Sequence, residues 1–256
     1  MRLRLHMEPD QAAPSYITCA DGVRLAYHFT PGKGPTIVFL PGYMSDMQGS
    51  KALAVEAWAV SQGRAMLRLD YSGCGESDGA FVDGTLDLWR NDVMLVIAQV
   101  APGPALLIGS SMGGWLMLLV ALALGPRVKG LIGIAAAPDF TDWGFTDTEK
   151  TEMRSSGQVL RPSDYADSPM TTTLGFFNSG NANLLLGSEI ALQCPVRLLH
   201  GQCDPDVPWE TSLKLAERLR SADVQTVLVK SGDHRLSRDQ DIALLLRTLD
   251  DLLEIL

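Results

Sequence analysis

Two stretches of the chain carry a serine between glycines at the G-x-S-x-G spacing: Gly75-Glu76-Ser77-Asp78-Gly79 and Gly109-Ser110-Ser111-Met112-Gly113. Only the second has the setting in which such a serine becomes a nucleophile. An apolar run, ALLI, leads into it and another, WLMLLVALAL, follows it. That pattern predicts a strand turning sharply into a helix. Small flanking residues permit the turn, which lifts the serine hydroxyl clear of the sheet. The new helix adds unpaired N–H groups and the positive end of its dipole. Ser111 has both glycines in frame and Ser110 does not, so Ser111 is the candidate nucleophile. Ser77 lies in SGCGESDG. No apolar strand runs directly into that stretch and no apolar helix leaves it, so it reads as a loop.

A serine hydroxyl needs a base, and the imidazole of histidine has a pKa suited to that work near neutrality. The chain offers four histidines. His6 lies in the N-terminal stretch and His28 on a predicted hairpin. His200 ends a predicted strand in RLLHG, where packing against the following turn is the expected role. His234 sits in SGDHRLSR, between the last predicted strand and the last predicted helix, where a loop can swing over the serine. His234 is therefore the candidate base.

The imidazole in turn needs a carboxylate to hold its tautomer. Asp204 follows the strand VRLLH and falls at the same sheet edge. Asp206 is the runner-up and Asp139, after the preceding strand, a third possibility. Asp233 adjoins His234 in sequence and would point away from it. The chain order serine, acid, histidine differs from that of chymotrypsin and subtilisin. Acyl transfer also needs donors for a developing oxyanion. The Met112 N–H is one candidate. The Tyr43 N–H in LPGYMSD, with Gly42 allowing close approach, is the other.

These loops must be carried to one edge by a sheet. The patterns predict strands at 16–19, 23–29, 36–40, 65–69, 105–108, 128–135, 196–200 and 224–229, eight in all. Asp21-Gly22 marks a hairpin between the first two. Helices are predicted over 51–61, 86–100 and 115–124, and at the C-terminus, where Ile242, Leu245, Leu246, Leu249, Leu252, Leu253 and Leu256 keep a helical period. Strands alternating with helices imply a mostly parallel sheet covered on both faces, with the leading hairpin antiparallel. The expected core is 1–138 with 194–256. Between them, 139–193 shows no convincing strand and holds Phe140, Trp143, Phe145, Tyr165, Phe176 and Phe177. It reads as a lid inserted over the site, with Trp143, Phe176 and Phe177 as candidate substrate-binding aromatics. Its eight acidic and three basic residues would disfavour anionic substrates if they faced the site, and a solvated face turned away is the equal alternative.

Composition narrows the class. The 256 residues are 46% hydrophobic and carry a net charge of −9, which argues against nucleic acid as a partner. The longest clean apolar run, 115–124, is too short to span a bilayer. Cys19, Cys74, Cys194 and Cys203 have no metal spacing and read as free thiols of a reducing compartment. The start, MRLRLHMEPD, lacks the apolar centre of a secretion signal. A cytoplasmic location is the expectation.

With these residues assembled, the chain resembles the α/β-hydrolase superfamily over about 36–137 and from 196 onward. More narrowly, LPGYMSDMQGSKAL, RLDYSGCGESDG, GSSMGGWLML, RLLHGQCDPDVPW and DHR are similar to the small mitochondrial acyl-protein thioesterases of mammals, also known as mycophenolic acid acyl-glucuronide esterases. The resemblance implies an α/β-hydrolase fold with Ser111 as nucleophile, Asp204 as acid and His234 as base. It implies hydrolysis of esters and acyl thioesters, S-palmitoyl groups included. The expected substrate is a small ester or thioester or an acylated protein, with no metal or organic cofactor. A mitochondrial address is not carried over, since no leader is visible. Two other readings stay open: the same triad on another bond (a C–C hydrolase, peptidase or perhydrolase), and a hydrolase fold kept as a binding module. Dehalogenases and epoxide hydrolases usually place Asp where Ser111 stands.

Overall fold

The computed structural model describes residues 13–162 and 169–256. His6 and Tyr165 lie outside the described residues. The hairpin pairs β1 (Ser15–Thr18) with β2 (Arg24–Thr30), and Gly22 takes φ +93° in its turn. Next come β3 (Lys33–Leu40), α1 (Ser50–Gln62), β4 (Arg64–Leu69), α2 (Leu86–Val100), β5 (Ala105–Ser110), α3 (Met112–Leu124) and β6 (Val128–Ile134). The inserted segment holds α4 (Phe140–Trp143), α5 (Asp147–Ser156), β7 (Gln158–Arg161), β8 (Met170–Thr173) and α6 (Leu174–Ala182). Then follow β9 (Val196–Gly201), α7 (Glu210–Arg218), β10 (Val224–Val229) and α8 (Asp239–Glu254).

Eight strands form one sheet in the order β1-β2-β4-β3-β5-β6-β9-β10. Pairs β1–β2 and β2–β4 are antiparallel and the others parallel. The order explains the layers. From β3 the chain steps to β4 on one side, then crosses back to β5 on the other. Right-handed crossovers in opposite directions place their helices on opposite faces. Thus α1 shares a face with α8, and α2 shares the other with α3. Each central strand is apolar on both sides. Ile37 and Phe39 pack under α1 and α8, while Val38 and Leu40 pack under α2 and α3. The strand order reverses between β3 and β5, and a crevice forms beyond the carboxyl ends of strands at such a point.

The expectation that 139–193 holds no strand is corrected. Strands β7 and β8 pair antiparallel from Gln158↔Thr173 to Arg161↔Met170. Each is four residues long, and Val159 and Thr172 are the buried positions, so no apolar run announces them. Helix α5 opens with a capping box between Thr146 and Glu149, a signal the sequence did carry. Helix α7 was also absent from the pattern reading, although ETSLKLAER is amphipathic. All four cysteines are free. Among the described residues no helix is long and apolar enough to cross a membrane.

Candidate active site

Between β5 and α3 stands a single residue, Ser111, with φ 55° and ψ −122°. A non-glycine residue held there costs about 1–3 kcal/mol, so the surroundings must impose it. They do so through backbone contact. A Cβ on Gly109 would lie 2.3 Å from the Gly113 carbonyl oxygen, and one on Gly113 would lie 2.1 Å from that of Leu40. The Ser111 N–H donates to the Ile134 carbonyl, and its own carbonyl accepts from Gly114 and Ala137.

His234 Nε2 lies 3.1 Å from Ser111 Oγ, and its Nδ1 lies 2.8 Å from Asp204 Oδ2. The Asp204 side chain is fully buried, and Oδ1 accepts from the amides of Asp206 and Val207 at 2.9 Å each. Burial pushes this carboxyl upward, but hydrogen bonds from His200 and His234 outweigh it and hold Asp204 well below the usual carboxylate range. The loops after β9 and β10 are in backbone contact: the Cys203 N–H donates to the Gly232 carbonyl at 2.9 Å. Lys51 Nζ secures the other flank of the histidine loop on the Arg235 carbonyl at 2.5 Å. Burial lowers that lysine to about 8.

Gly42 approaches Ser111 closely, since a Cβ there would sit 3.3 Å from the Ser110 carbonyl oxygen and from Ser111 Cβ. Among the described residues the Tyr43 and Met112 amides have no hydrogen-bond acceptor. Both flank Ser111 on the wall of one cavity. Two such donors beside the hydroxyl are what a candidate oxyanion site requires. Sequence reasoning missed what grips this loop. Asp70 Oδ1 accepts from the Met47 N–H at 2.7 Å, and Arg68 donates to the Met47 carbonyl at 2.6 Å. Tyr71 donates to the Pro41 carbonyl at 2.9 Å. Burial raises Asp70 to about 6 against the opposing amides of Glu76 and Met47. No motif marks Asp70 or Arg68. The polar residues in the otherwise apolar RAMLRLD were the available signal.

Comparison with known proteins gives the family. Residues 37–247 match the alpha/beta hydrolase family. The chain belongs to the α/β-hydrolase family. It is 43% identical over 244 residues to human palmitoyl-protein thioesterase ABHD10, mitochondrial, covering 94% of this chain and 80% of that one. The solved structure of mouse ABHD10 superposes with a TM-score of 0.88 at 42% identity, covering 95% of this chain and 99% of that one. A crystal structure of a hydrolase from Agrobacterium vitis gives the same TM-score at 38% identity, covering 94% and 98%. The cytoplasmic expectation is corrected by the first of these findings: the human, orangutan and mouse relatives are mitochondrial by name. The reducing environment inferred from unpaired cysteines does not distinguish the cytoplasm from that compartment.

In this hydrolase a cavity of about 980 Å³ opens over Ser111 and His234. Phe140, Trp143, Phe145, Met170 and Trp209 contribute apolar wall. Trp143 thus stands where a substrate-binding aromatic was expected. Phe176 and Phe177 do not, and that expectation is corrected: they are 1% and 4% exposed and pack inward. Phe176 stacks among Tyr43, Trp89 and Phe140, and Phe177 lies against Phe145. Phe177 builds the inserted segment's own small core, and Phe176 seals the segment onto the core of the sheet domain. None of the described acidic residues of that segment lines the cavity. Glu149 is paired with Arg161, Glu189 with Arg220, and Asp139 accepts the Leu185 and Leu186 amides.

The rival residues have other places. Ser110 is buried in β5. Ser77 Oγ donates to the Asp70 carbonyl and accepts from Ala26 N–H, joining the hairpin to its neighbouring loop. His28 is half-buried on β2, away from the cavity wall. Asp233 accepts the Leu236 N–H and shapes the histidine loop. Asp206 lines the cavity and, with Asp204 and His234, offers ligand atoms within 4.8 Å of one another. Both Asp204 oxygens and both His234 nitrogens already make hydrogen bonds, so the cluster suits proton transfer better than metal binding.

Proposed function

We propose that this hydrolase cleaves acyl thioesters and esters through an acyl-enzyme on Ser111. The reading is carried by the unbroken run from Ser111 Oγ to His234 Nε2 at 3.1 Å and from His234 Nδ1 to Asp204 Oδ2 at 2.8 Å. His234 takes the Ser111 proton as the hydroxyl attacks the acyl carbon, and the Tyr43 and Met112 amides hold the oxyanion. The imidazolium, stabilised by Asp204, then protonates the leaving thiol or alcohol. Water follows the same path and frees the acid.

The 139–193 segment is the proposed lid, with 13–138 and 194–256 as the described core. Phe140, Trp143, Phe145 and Met170 would contact the acyl chain. The ABHD10 relatives are named palmitoyl-protein thioesterases, and S-acylated protein is the substrate class proposed here. Matched p-nitrophenyl esters and acyl thioesters from short to palmitoyl length test both parts. Turnover rising with chain length is expected, together with a loss of about 10⁶ in Ser111→Ala. Activity confined to short oxygen esters would overturn the acyl-chain assignment. Residual Ser111→Ala turnover above about 1% would overturn the mechanism.

A further inference from the structure

Asp204 is touched by two imidazoles. His234 reaches Oδ2 through Nδ1, and His200, wholly buried at the end of β9, reaches the same oxygen through Nε2 at 3.1 Å. His200 Nε2 also lies 3.1 Å from the Val207 carbonyl oxygen, and Nδ1 lies 2.7 Å from the Ser212 hydroxyl on α7. The two oxygens facing Nε2 can only accept, so Nε2 carries the proton and Nδ1 accepts from Ser212. We propose that His200 is a positioning residue for the triad, holding the Asp204 carboxylate in the rotation from which Oδ2 meets His234, with Ser212 selecting the tautomer that can do so. The proposal rests on the hydrolase reading above.

Four donors fill the Asp204 carboxylate. Two backbone amides hold Oδ1, and the two imidazoles hold Oδ2. His234 sits on a loop and must exchange protons with Ser111, so it is a poor fixed point. His200 lies in a strand paired on both sides, with the apolar Leu228 opposite it on β10 and Leu199 beside it paired to Ile134 on β6. Its polar contacts are Asp204 and Val207 in the β9–α7 connection and Ser212 in the first turn of α7. Asp204 and, through it, His234 are the titrating groups its ring reaches; Asp206 shares that loop and has hydrogen-bonded or electrostatic contacts of its own. Sharing Oδ2 between two donors also tempers the pull of the carboxylate on the His234 proton. The RLLHGQCD stretch therefore supplies both the acid and the group that aims it.

The test compares His200→Leu, His200→Gln and Ser212→Ala on p-nitrophenyl acetate across pH. His200→Leu is expected to lower kcat about tenfold with KM unchanged. It should also move the acid limb of kcat/KM to higher pH, because Asp204, short of one donor, grips the His234 proton more tightly. His200→Gln keeps a donor near Nε2 and should recover most of kcat. Ser212→Ala should shift kcat and the limb the same way by a smaller amount, about threefold in kcat. A folded His200→Leu with the parent's kcat and acid limb overturns the proposal. If His200→Leu does not fold, an unchanged kcat and limb in Ser212→Ala overturn it. Ser111→Ala run alongside reads the hydrolase assignment: full activity there would overturn both readings, whereas an inert Ser111→Ala beside unaffected His200 variants overturns this one alone.

Discussion

The edge of the central sheet and the inserted segment are built to different rules. At the edge, backbone meets backbone: glycines 109, 113 and 201 stand where a Cβ would lie 2.1–2.3 Å from a carbonyl oxygen. The candidate acid and base hang from loops hydrogen-bonded to one another. The inserted segment has its own small core of Phe145, Met153, Val159 and Phe177. It also packs into the core of the sheet domain through Phe176, Leu186, Ile190 and Leu192. Asp139 closes the segment on itself by accepting two amides at its far end, while Asp87 bonds Ser179 and Asn183, and Tyr43 donates to the Thr171 carbonyl at 2.7 Å, across the boundary. The edge cannot change shape without losing its chemistry. The segment is held by its own small core and by side-chain anchors, which suits the acyl-selecting role proposed for it.

Breaking the edge should cost most. Gly113→Ala forces a Cβ between the Leu40 and Pro41 carbonyl oxygens, at 2.1 and 2.4 Å. A loss of about 3 kcal/mol or more is expected in urea unfolding, with activity abolished. Gly42→Ala meets atoms at 3.3 Å, so the neighbours yield slightly and the fold should survive. Displacing the oxyanion loop should lower kcat about 10²-fold with little change in KM. Undiminished kcat would remove Tyr43 from the oxyanion site.

Tyr43 sharpens the comparison because it belongs to both regions. Its ring packs against Phe176 and Phe81 at 4.9 and 5.0 Å, and burial pushes its hydroxyl well above the ordinary tyrosine range, so it stays protonated as a donor. Tyr43→Phe removes only the bond to Thr171, at a cost of about 1 kcal/mol. The loss in kcat/KM should be larger for palmitoyl than for acetyl substrates. Equal losses would show that this contact does not couple the segment to the site.

The smallest effect belongs to the segment alone. Arg161 binds Glu149 through two hydrogen bonds at 2.7 and 2.8 Å and holds it at about 2. A depressed folded-state pKa gives stability that is present above the unfolded value near 4.5 and is lost as pH falls toward 2. Solvent screening limits it to about 0.5–1 kcal/mol. Protection of the α5 amides, referred to the intrinsic exchange rate at each pH, should fall between pH 5 and 3 while that of the β5 amides holds. An equal fall in both would mean that the two regions unfold together.

Most of the sheet was legible because its strands are buried on both faces and read as apolar runs. Ser111 was legible for a related reason, since it follows such a strand directly; His234 stands beyond the half-exposed edge strand β10 and was legible as the histidine of the last strand-to-helix loop. Strands β7 and β8 were not, since four residues with one buried side chain leave no period to detect. Phe176 and Phe177 misled because an aromatic in an insertion looks the same whether it lines a cavity or fills a core. His200 looked like a packing residue because its neighbours in sequence are apolar, while the partners that give it a role come from the turn and helix beyond.

The sequence by itself determined the alternation of strands and helices, the serine at the sharp turn, and the order of acid and base behind it. These are local properties, written in hydrophobic period and in glycines that must avoid a Cβ. The tertiary structure decided which aromatics face the cavity, that one carboxylate serves two imidazoles, and that Tyr43 ties its loop to a strand 128 residues away. Those outcomes depend on the distance and direction between atoms on separate elements. Such distances are set by the packing of the whole chain, and no stretch of it contains them.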